Sequence, residues 1–284
     1  MSRDRRSIAQ ACAHVLAQAQ PRAKLMAARQ AARAWRLGQL DHRFDRPMPH
    51  APGRPDEPAL LPPNRMPRRG KAGSQRGRIA LLHALAHIEF AAIDLAFDMA
   101  GRFGQRFPRA FVDDWMKVGA DEAMHFALLD RRLRQLGSYY GALPAHDGLW
   151  EAAEETAHSA MARLAVVPMV LEARGLDVTP QMVERFRSAG DLASAKIMQR
   201  IYHDEIAHVG FGSKWFAWGF DHDRNSDERT NAETAESPAN LWVSLINRHF
   251  RGTLKPPFND SARHEAGLTL DFYGAVASGN QTGL

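Results

Sequence analysis

One pattern constrains this sequence more than any other: a Glu, 32 intervening residues, and a Glu-x-x-His turn. The two copies are Glu89 with Glu122 and His125, and Glu172 with Glu205 and His208. On an α-helix, residues three apart lie on the same face, so each Glu-x-x-His turn points both side chains one way. Equal spacing in both copies predicts two helical hairpins, each bringing its first Glu beside the Glu-x-x-His turn of the next helix.

Hydrophobic periodicity and helix breakers predict an all-α chain with long helices between residues 78 and 220. The predicted helices span 78–101, 108–136, 149–174 and 191–220, with a short helix at 181–188. Helix 78–101 is apolar on nearly every face, which is typical of a central helix. The GLDVTP segment that starts at Gly175 is expected to break the third helix, because proline cannot continue a regular helix.

Three regions are predicted. Residues 1–76 form a basic helical and Pro-rich arm, residues 77–220 the bundle, and residues 221–284 a polar linker and C-terminal extension. Within the arm, residues 5–38 are predicted to form one or two helices, with Pro21 able to start the second. Residues 44–70 contain eight prolines, which predicts an extended strap over the bundle surface or a disordered segment.

The positive charge is concentrated in the arm. Residues 1–76 hold 16 Lys/Arg and 5 Asp/Glu, whereas the whole chain holds 37 and 32. Two interpretations follow. The arm wraps its own acidic bundle, which we favour, or it binds nucleic acid or a phosphorylated partner.

Composition limits the other classes of protein. Cys12 is the one cysteine, so neither a disulfide framework nor a cysteine zinc site is available. The sequence has neither a long uncharged apolar run typical of a transmembrane helix nor a typical secretory signal. We therefore expect a cytoplasmic protein that does not enter a membrane.

The two repeats indicate a metal site. A lone Glu-x-x-His turn usually lies on a solvated helix face, but Glu89 and Glu172 lie in apolar surroundings, where an unpaired carboxylate is costly to bury. A neutral imidazole and a carboxylate on one face supply two metal ligands. The predicted metal ligands are Glu89, Glu122, His125, Glu172, Glu205 and His208.

Five further residues are predicted to support these ligands. Asp121 and Asp204 each precede a ligand histidine by four positions, so each could accept the second ring N–H and orient the imidazole. Tyr202, His83 and His87 are weaker candidates, because ordinary core packing explains them equally well.

The full set of motifs resembles the ferritin-like dimetal-carboxylate superfamily, which includes ferritins, rubrerythrin, ribonucleotide reductase small subunits and bacterial multicomponent monooxygenases. The stretches LLHALAHIEFAAIDLA, DEAMHF, MVLEARGLDVTP, HDEIAHVGFG and KPPFNDSARHEAG more closely resemble a bacterial ferritin-like family of unassigned function. The resemblance implies a ferritin-like four-helix bundle with a helical N-terminal extension, a Pro-rich strap and a C-terminal extension. It also implies the six ligands, but no substrate.

Mixed Glu/His ligation suits two Fe ions, two Mn ions or a mixed Mn/Fe pair. The leading hypothesis is an O₂- or peroxide-activating oxidase or hydroxylase, a di-iron oxidoreductase acting on a small molecule with an external electron donor; no catalytic residue beyond the ligands is assigned. Iron storage or detoxification is one alternative, and hydroxylation of a tRNA base using the basic arm is another. A homodimer is compatible with the sequence.

Overall fold

A computed structural model of the chain describes residues 5–67, 74–225 and 236–277, and all regular structure within these ranges is helical. The helices are α1 (Ile8–Leu16), α2 (Pro21–Arg36), α3 (Gln75–Phe103), α4 (Arg109–Gln135), α5 (Gly148–Glu155), α6 (Ala160–Val166), α7 (Ala173–Ser188), α8 (Leu192–Asn225), α9 (Pro238–His249), α10 (Asp260–Glu265) and α11 (Leu270–Ala277). Short 3-10 turns occupy Pro63–Arg65 and Gly104–Arg106, and a π-helical segment at Val167–Glu172 joins α6 to α7. The predicted all-α class is confirmed.

The chain forms two compact units. Unit 1 comprises Met1–Trp150 and Arg185–Ile197, and unit 2 comprises Glu151–Glu184 and Met198–Leu284. The domain boundaries predicted after residues 76 and 220 stay predictions.

In unit 1, the antiparallel hairpin of α3 and α4 carries α1 and α2 on its surface. Residues 5–38, predicted to form one or two helices, form two. Ser7 begins α1 with a capping box. Its side chain accepts the Gln10 backbone N–H, and the Gln10 side chain accepts the Ser7 backbone N–H. Pro21 occupies the first turn of α2, where its missing N–H would have had no helical partner.

The Pro-rich segment follows the surface of unit 1. The Gly53 N–H donates to the Leu16 carbonyl at 2.7 Å, and a Cβ at Gly53 would come within 2.7 Å of the Ala17 oxygen, so this close approach requires glycine. Further along, the Leu61 N–H donates to the Ala145 carbonyl at 2.8 Å. Residues 44–67 contain no helix apart from the 3-10 turn at Pro63–Arg65, and the predicted end of the strap at residues 68–70 lies outside the described residues.

Buried charges connect the arm to α3. Lys24 and Asp94 are both fully buried and form an ion pair, and Arg54 of the strap pairs with the other Asp94 oxygen. Arg54 also contacts Asp147 at 3.2 Å. The interpretation that the arm wraps acidic groups of its own protein is therefore correct for Lys24 and Arg54. Removing one partner of such a buried pair typically costs several kcal/mol.

Helix α3 is the one described helix long and apolar enough to cross a membrane, by length and composition alone. Its apolar window, within Gln75–Arg106, is 67% buried inside the protein. That burial is the character of a core helix, as predicted from its all-round apolar surface.

The prediction for the third long helix was wrong in two places. The segment 149–174 is interrupted after α5, and Ser159 starts α6 by accepting the Ala162 N–H. The helix then continues through GLDVTP to Ser188, with Pro180 inside α7. Residues 181–188 are therefore the end of α7 and not a separate helix.

A C-terminal side chain explains why Pro180 is tolerated. Proline at position 180 cannot donate to the carbonyl four residues earlier, which belongs to Leu176. The side-chain amide of Asn259 donates to that carbonyl at 3.1 Å. The helix therefore continues where a break was predicted. The prediction was wrong because the donor lies 79 positions away in the sequence, beyond the reach of any local pattern.

The surrounding C-terminal segment forms a clamp on the start of α7. Arg263 donates from Nε and NH2 to the two oxygens of Asp177, both at 2.8 Å. The Asn259 N–H donates to Asp177 at 3.0 Å, and Arg174 donates to the carbonyl oxygens of Lys255 and Pro257. The sequence stretches LEARGLDVTP and KPPFNDSARHEAG are thus two sides of one hydrogen-bonded structure in unit 2.

The continuous α7 makes the two repeats alike. Glu89 lies 14 residues before the end of α3 and Glu122 lies 13 after the start of α4. Glu172 lies 16 residues before the end of α7, and Glu205 lies 13 after the start of α8. All four therefore lie roughly 20 Å along their helices from the turn, at about 1.5 Å per residue. Of the polar segment predicted at 221–238, residues 226–235 lie outside the described residues.

Replacing Asn259 by Ala should lower the free energy of unfolding by about 1–3 kcal/mol, because the buried Leu176 carbonyl loses its donor. Pro180→Ala restores a backbone N–H at that position, so Asn259→Ala should cost at least about 0.5 kcal/mol less in the Pro180→Ala background. Urea unfolding followed by tryptophan fluorescence measures all four proteins. The control Asn247→Ala, at an exposed position of α9, should change stability by less than about 0.5 kcal/mol. Equal costs in both backgrounds would contradict this account of Pro180.

Candidate metal centre

Unit 1 holds a buried cluster of two carboxylates and one imidazole. Glu89 comes from α3, and Glu122 and His125 come from α4. His125 Nδ1 lies 3.1 Å from Glu89 Oε2 and 3.4 Å from Glu122 Oε2. One ligand atom from each residue lies within 4.8 Å of the others. The first repeat thus brings its three predicted ligands together.

Close packing of α3 on α4 supports this arrangement. Gly119 lies one turn before Glu122, and a Cβ at that position would come within 2.5 Å of the Phe97 ring. Glycine therefore lets the ring of Phe97 lie directly against the backbone of α4. The sequence gives no sign of this contact, because a glycine inside a helix has several uses.

Helix α3 buries three carboxylates, and their negative charges have different partners. Asp94 pairs with Lys24 and Arg54, and Asp98 accepts from the Arg102 guanidinium at 2.8–3.0 Å. Glu89 pairs with no lysine or arginine of the described residues.

The electrostatics of Glu89 favour a bound cation. Burial, and next the neighbouring Glu122 carboxylate, raises the pKa of Glu89 well above its ordinary value, while His125 opposes the shift. Two carboxylates that share a buried site cannot both ionise at low cost unless a positive charge lies between them. This Glu/His cluster could hold a metal ion.

Unit 2 holds the corresponding residues of the second repeat. Glu205 and His208 lie on α8, with His208 Nδ1 3.6 Å from Glu205 Oε2. The His208 side chain is fully buried and the Glu205 side chain is 12% exposed. Glu205 Oε2 is buried and accepts no hydrogen bond from the described residues. The pair has the same one-turn geometry as Glu122 and His125.

Glu172 is the last residue of the π-helical segment Val167–Glu172. Such segments are rare and occur frequently at functional sites. Gly212 of α8 allows it to pack closely, since a Cβ there would lie 2.5 Å from Pro168. Pro168, in the stretch VVPMVLE, is the sequence signal for this irregular segment, which was predicted as part of a regular helix.

The two predicted supporting aspartates have basic partners on their own helices. Asp121 accepts from Lys117 at 2.7 Å, and Asp204 accepts from Arg200 at 2.6 Å. Their predicted hydrogen bonds to the ligand histidines stay predictions. The Tyr202 hydroxyl accepts from Asn259 at 3.0 Å and so belongs to the clamp on α7.

His83 and His87 contact the loop after α4. His83 Nε2 accepts the N–H groups of Gly141 and Leu143 at 2.9 and 3.3 Å. His87 Nδ1 lies 2.9 Å from the Tyr140 hydroxyl, and the Tyr140 ring stacks on both imidazoles. These contacts hold the loop against α3, and a direct role at the metal site stays a prediction.

Comparison with known proteins assigns the chain to a family. The family model described as "Protein of unknown function (DUF455)" matches residues 17–274. An "Uncharacterized protein" of Haemophilus influenzae is 38% identical over 221 residues, which cover 76% of this chain and 73% of that protein. No solved structure matches the chain significantly. The matched range contains all six predicted ligands.

Replacing His83 by Gln should make the protein less sensitive to acid. Burial lowers the pKa of His83 to about 4, from an ordinary value of 6.5. Between these values the unfolded chain binds a proton that the folded chain excludes, so stability falls as the pH drops from about 6.5 to 4. Glutamine can still accept an N–H but does not titrate. The loss of unfolding free energy over this range should shrink by up to about 3 kcal/mol.

The measurement is the difference between unfolding free energies at about pH 7 and pH 4.5, two values that bracket most of this titration. Using the difference removes any change in stability that does not depend on pH. The exposed His264→Gln is the matched control and should behave as wild type. The same pH difference in His83→Gln and wild type would contradict the assignment.

Proposed function

The chain belongs to the DUF455 family of proteins of unknown function, and we propose that it is a ferritin-like dimetal-carboxylate protein that activates O₂ or peroxide. The observation that carries the proposal is the buried Glu89–Glu122–His125 cluster, in which a glutamate that pairs with no lysine or arginine of the described residues lies beside a second carboxylate. Asp94 and Asp98, on the same helix, each have lysine or arginine partners.

The proposed ligand set joins both repeats in one centre. Glu89, Glu122 and His125 supply one half, and Glu172, Glu205 and His208 supply the other. Ferritin-like sites use a Glu-x-x-His motif on each of two helices and one Glu on each of two others. The 33-residue interval in both repeats and the similar depths of the four glutamates along their helices support this assignment. In the proposed four-helix bundle the helices are α3, α4, the α6–α7 helix and α8.

The donor set suits two Fe or Mn ions. Carboxylate oxygens and imidazole nitrogens, with no thiolate, favour these metals over ions that prefer sulfur ligands. When bound, such a pair supplies the electrons for O₂ or peroxide reduction, with an external donor to restore them. The six proposed ligands would hold the ions, and burial of Glu89, Glu122, His125 and His208 limits the access of bulk water to them. Low water access limits side reactions of an activated oxidant.

Metal analysis tests the proposal directly. The purified protein should contain about two Fe or Mn ions per chain, the number that one dimetal centre requires. Glu122→Ala and Glu205→Ala should each lower this to less than about half, because each removes a ligand from a different repeat. Elemental analysis by mass spectrometry measures the content. Glu151→Ala, an exposed glutamate of α5, is the matched control and should retain the wild-type value.

The results separate the alternatives. Unchanged metal in both ligand variants would rule out the assignment, and loss only in Glu122→Ala would restrict the site to the first repeat. A reduced protein that consumes O₂ and changes its absorption spectrum supports an oxidase or hydroxylase. Retention of hundreds of iron atoms per assembly would instead assign iron storage.

A further inference from the structure

We propose that the outward face of α2 and the adjoining end of α4 bind the phosphodiester backbone of a nucleic acid. The starting observation is a run of 36 residues, 5–40, that contains seven Lys/Arg and no Asp/Glu. Of these cations, Lys24 forms a buried ion pair with Asp94 inside unit 1. Arg5 and Arg6 donate to the carbonyl oxygens of Gly38 and Gln10. The four arginines of α2 require a separate explanation.

Four arginines form a straight line on the exposed face of α2. Arg22, Arg29, Arg33 and Arg36 are all exposed. Their spacings of 7, 4 and 3 positions keep them within roughly 60° of one another around the helix, over about 21 Å of its length. The opposite face, which includes Lys24, Ala28 and Trp35, is buried against the rest of unit 1. This orientation is imposed by packing, so the arginine face points away from the protein.

The four guanidinium groups have no partner of their own. None forms an ion pair or hydrogen bond with any of residues 5–67, 74–225 and 236–277. Arginines that serve only solubility are usually interspersed with acids, and this stretch of chain has none. Four aligned, unpaired arginines are the arrangement expected where a chain of phosphates is bound, because guanidinium binds phosphate in a two-pronged geometry.

The basic face continues onto α4. Arg131 and Arg134 are exposed and line a cavity of about 370 Å³ together with Arg22. Arg134 is paired with Asp130 at 3.0 Å, whereas Arg131 has no partner among the described residues. Phe126 and Tyr140 lie at the same cavity. One end of the arginine line thus leads into a concave, positively charged surface large enough for a small group such as a nucleotide phosphate.

The structure favours nucleic acid over a membrane as the partner. A basic helix binds a membrane surface by inserting its apolar face into the lipid, and the apolar face of α2 is packed inside unit 1. Met26 and Leu37 are the large apolar side chains exposed beside the arginine line, and two side chains offer little area for insertion. The inference does not depend on the metal, so it stands or falls separately from the proposed function.

Fluorescence anisotropy with a labelled single-stranded RNA of roughly 20 nucleotides, long enough to cover the arginine line, tests the proposal. Wild-type protein should bind at about 50 mM salt and lose affinity steeply as salt rises. The variant R22Q/R29Q/R33Q/R36Q should bind at least about tenfold more weakly, and the slope of log affinity against log salt should fall by up to about 3. Its thermal unfolding should match wild type, because the four guanidinium groups form no ion pair or hydrogen bond with the described residues.

A second quadruple variant separates the arginine face from net charge. R65Q/R76Q/R248Q/R251Q removes the same charge from exposed arginines outside α2 and should bind RNA within about twofold of wild type, because net charge alone attracts RNA only weakly at ordinary salt. Equal weakening by both variants, or no RNA binding by wild type at low salt, would overturn the proposal. Binding to anionic vesicles or to polyglutamate without binding to RNA would overturn it in favour of a membrane or an acidic protein. Equal binding of single-stranded DNA would assign recognition of the backbone alone.

Discussion

The charge balance of the carboxylates buried on α3 governs the organisation of unit 1. Asp94 and Asp98 are neutralised by side chains of the protein, and the partners of Asp94 come from α2 and from the strap. The N-terminal arm therefore stabilises a buried carboxylate of the core helix by pairing with it, since an unpaired buried charge would cost several kcal/mol. Glu89 is left with Glu122 and His125, and this residual negative charge is what a metal ion would neutralise.

The same constraint explains how one arm can hold two kinds of cation. Burial of Asp94 draws Lys24 inward and fixes the rotation of α2 about its axis. Once that rotation is fixed, positions 22, 29, 33 and 36 face outward together, because they lie nearly opposite Lys24 on the helix. The two interpretations of the basic arm, packing on its own protein and binding a phosphorylated partner, are thus compatible. Lys24 packs the arm on its own protein, and the same packing turns the arginines outward, where they can bind a phosphorylated partner.

Sequence spacing predicted the parts of the fold that depend on local rules. Helices α1 to α4 and α8 lie where periodicity and Pro21 indicated. The three ligands of the first repeat come together because a short turn joins two helices of known rise. The interruption after α5 was missed, although Ser159 is a common type of helix start. The continuation through Pro180 could not be predicted locally. It depends on an amide donor from Asn259 and on the Arg263–Asp177 pair, which only the folded chain brings near.

These distant contacts give the C-terminal motif a definite physical role. If α7 had ended at GLDVTP, Glu172 would lie near a helix terminus, whereas Glu205 lies well inside α8. The clamp from Asn259 and Arg263 keeps the helix intact beyond Pro180, so Glu172 lies at a depth along its helix close to that of Glu89. The π-helical segment that ends at Glu172 then sets the direction of this residue, since one extra residue in a turn rotates the following face. The C-terminal segment, far from every predicted ligand in sequence, therefore decides whether the second repeat can resemble the first.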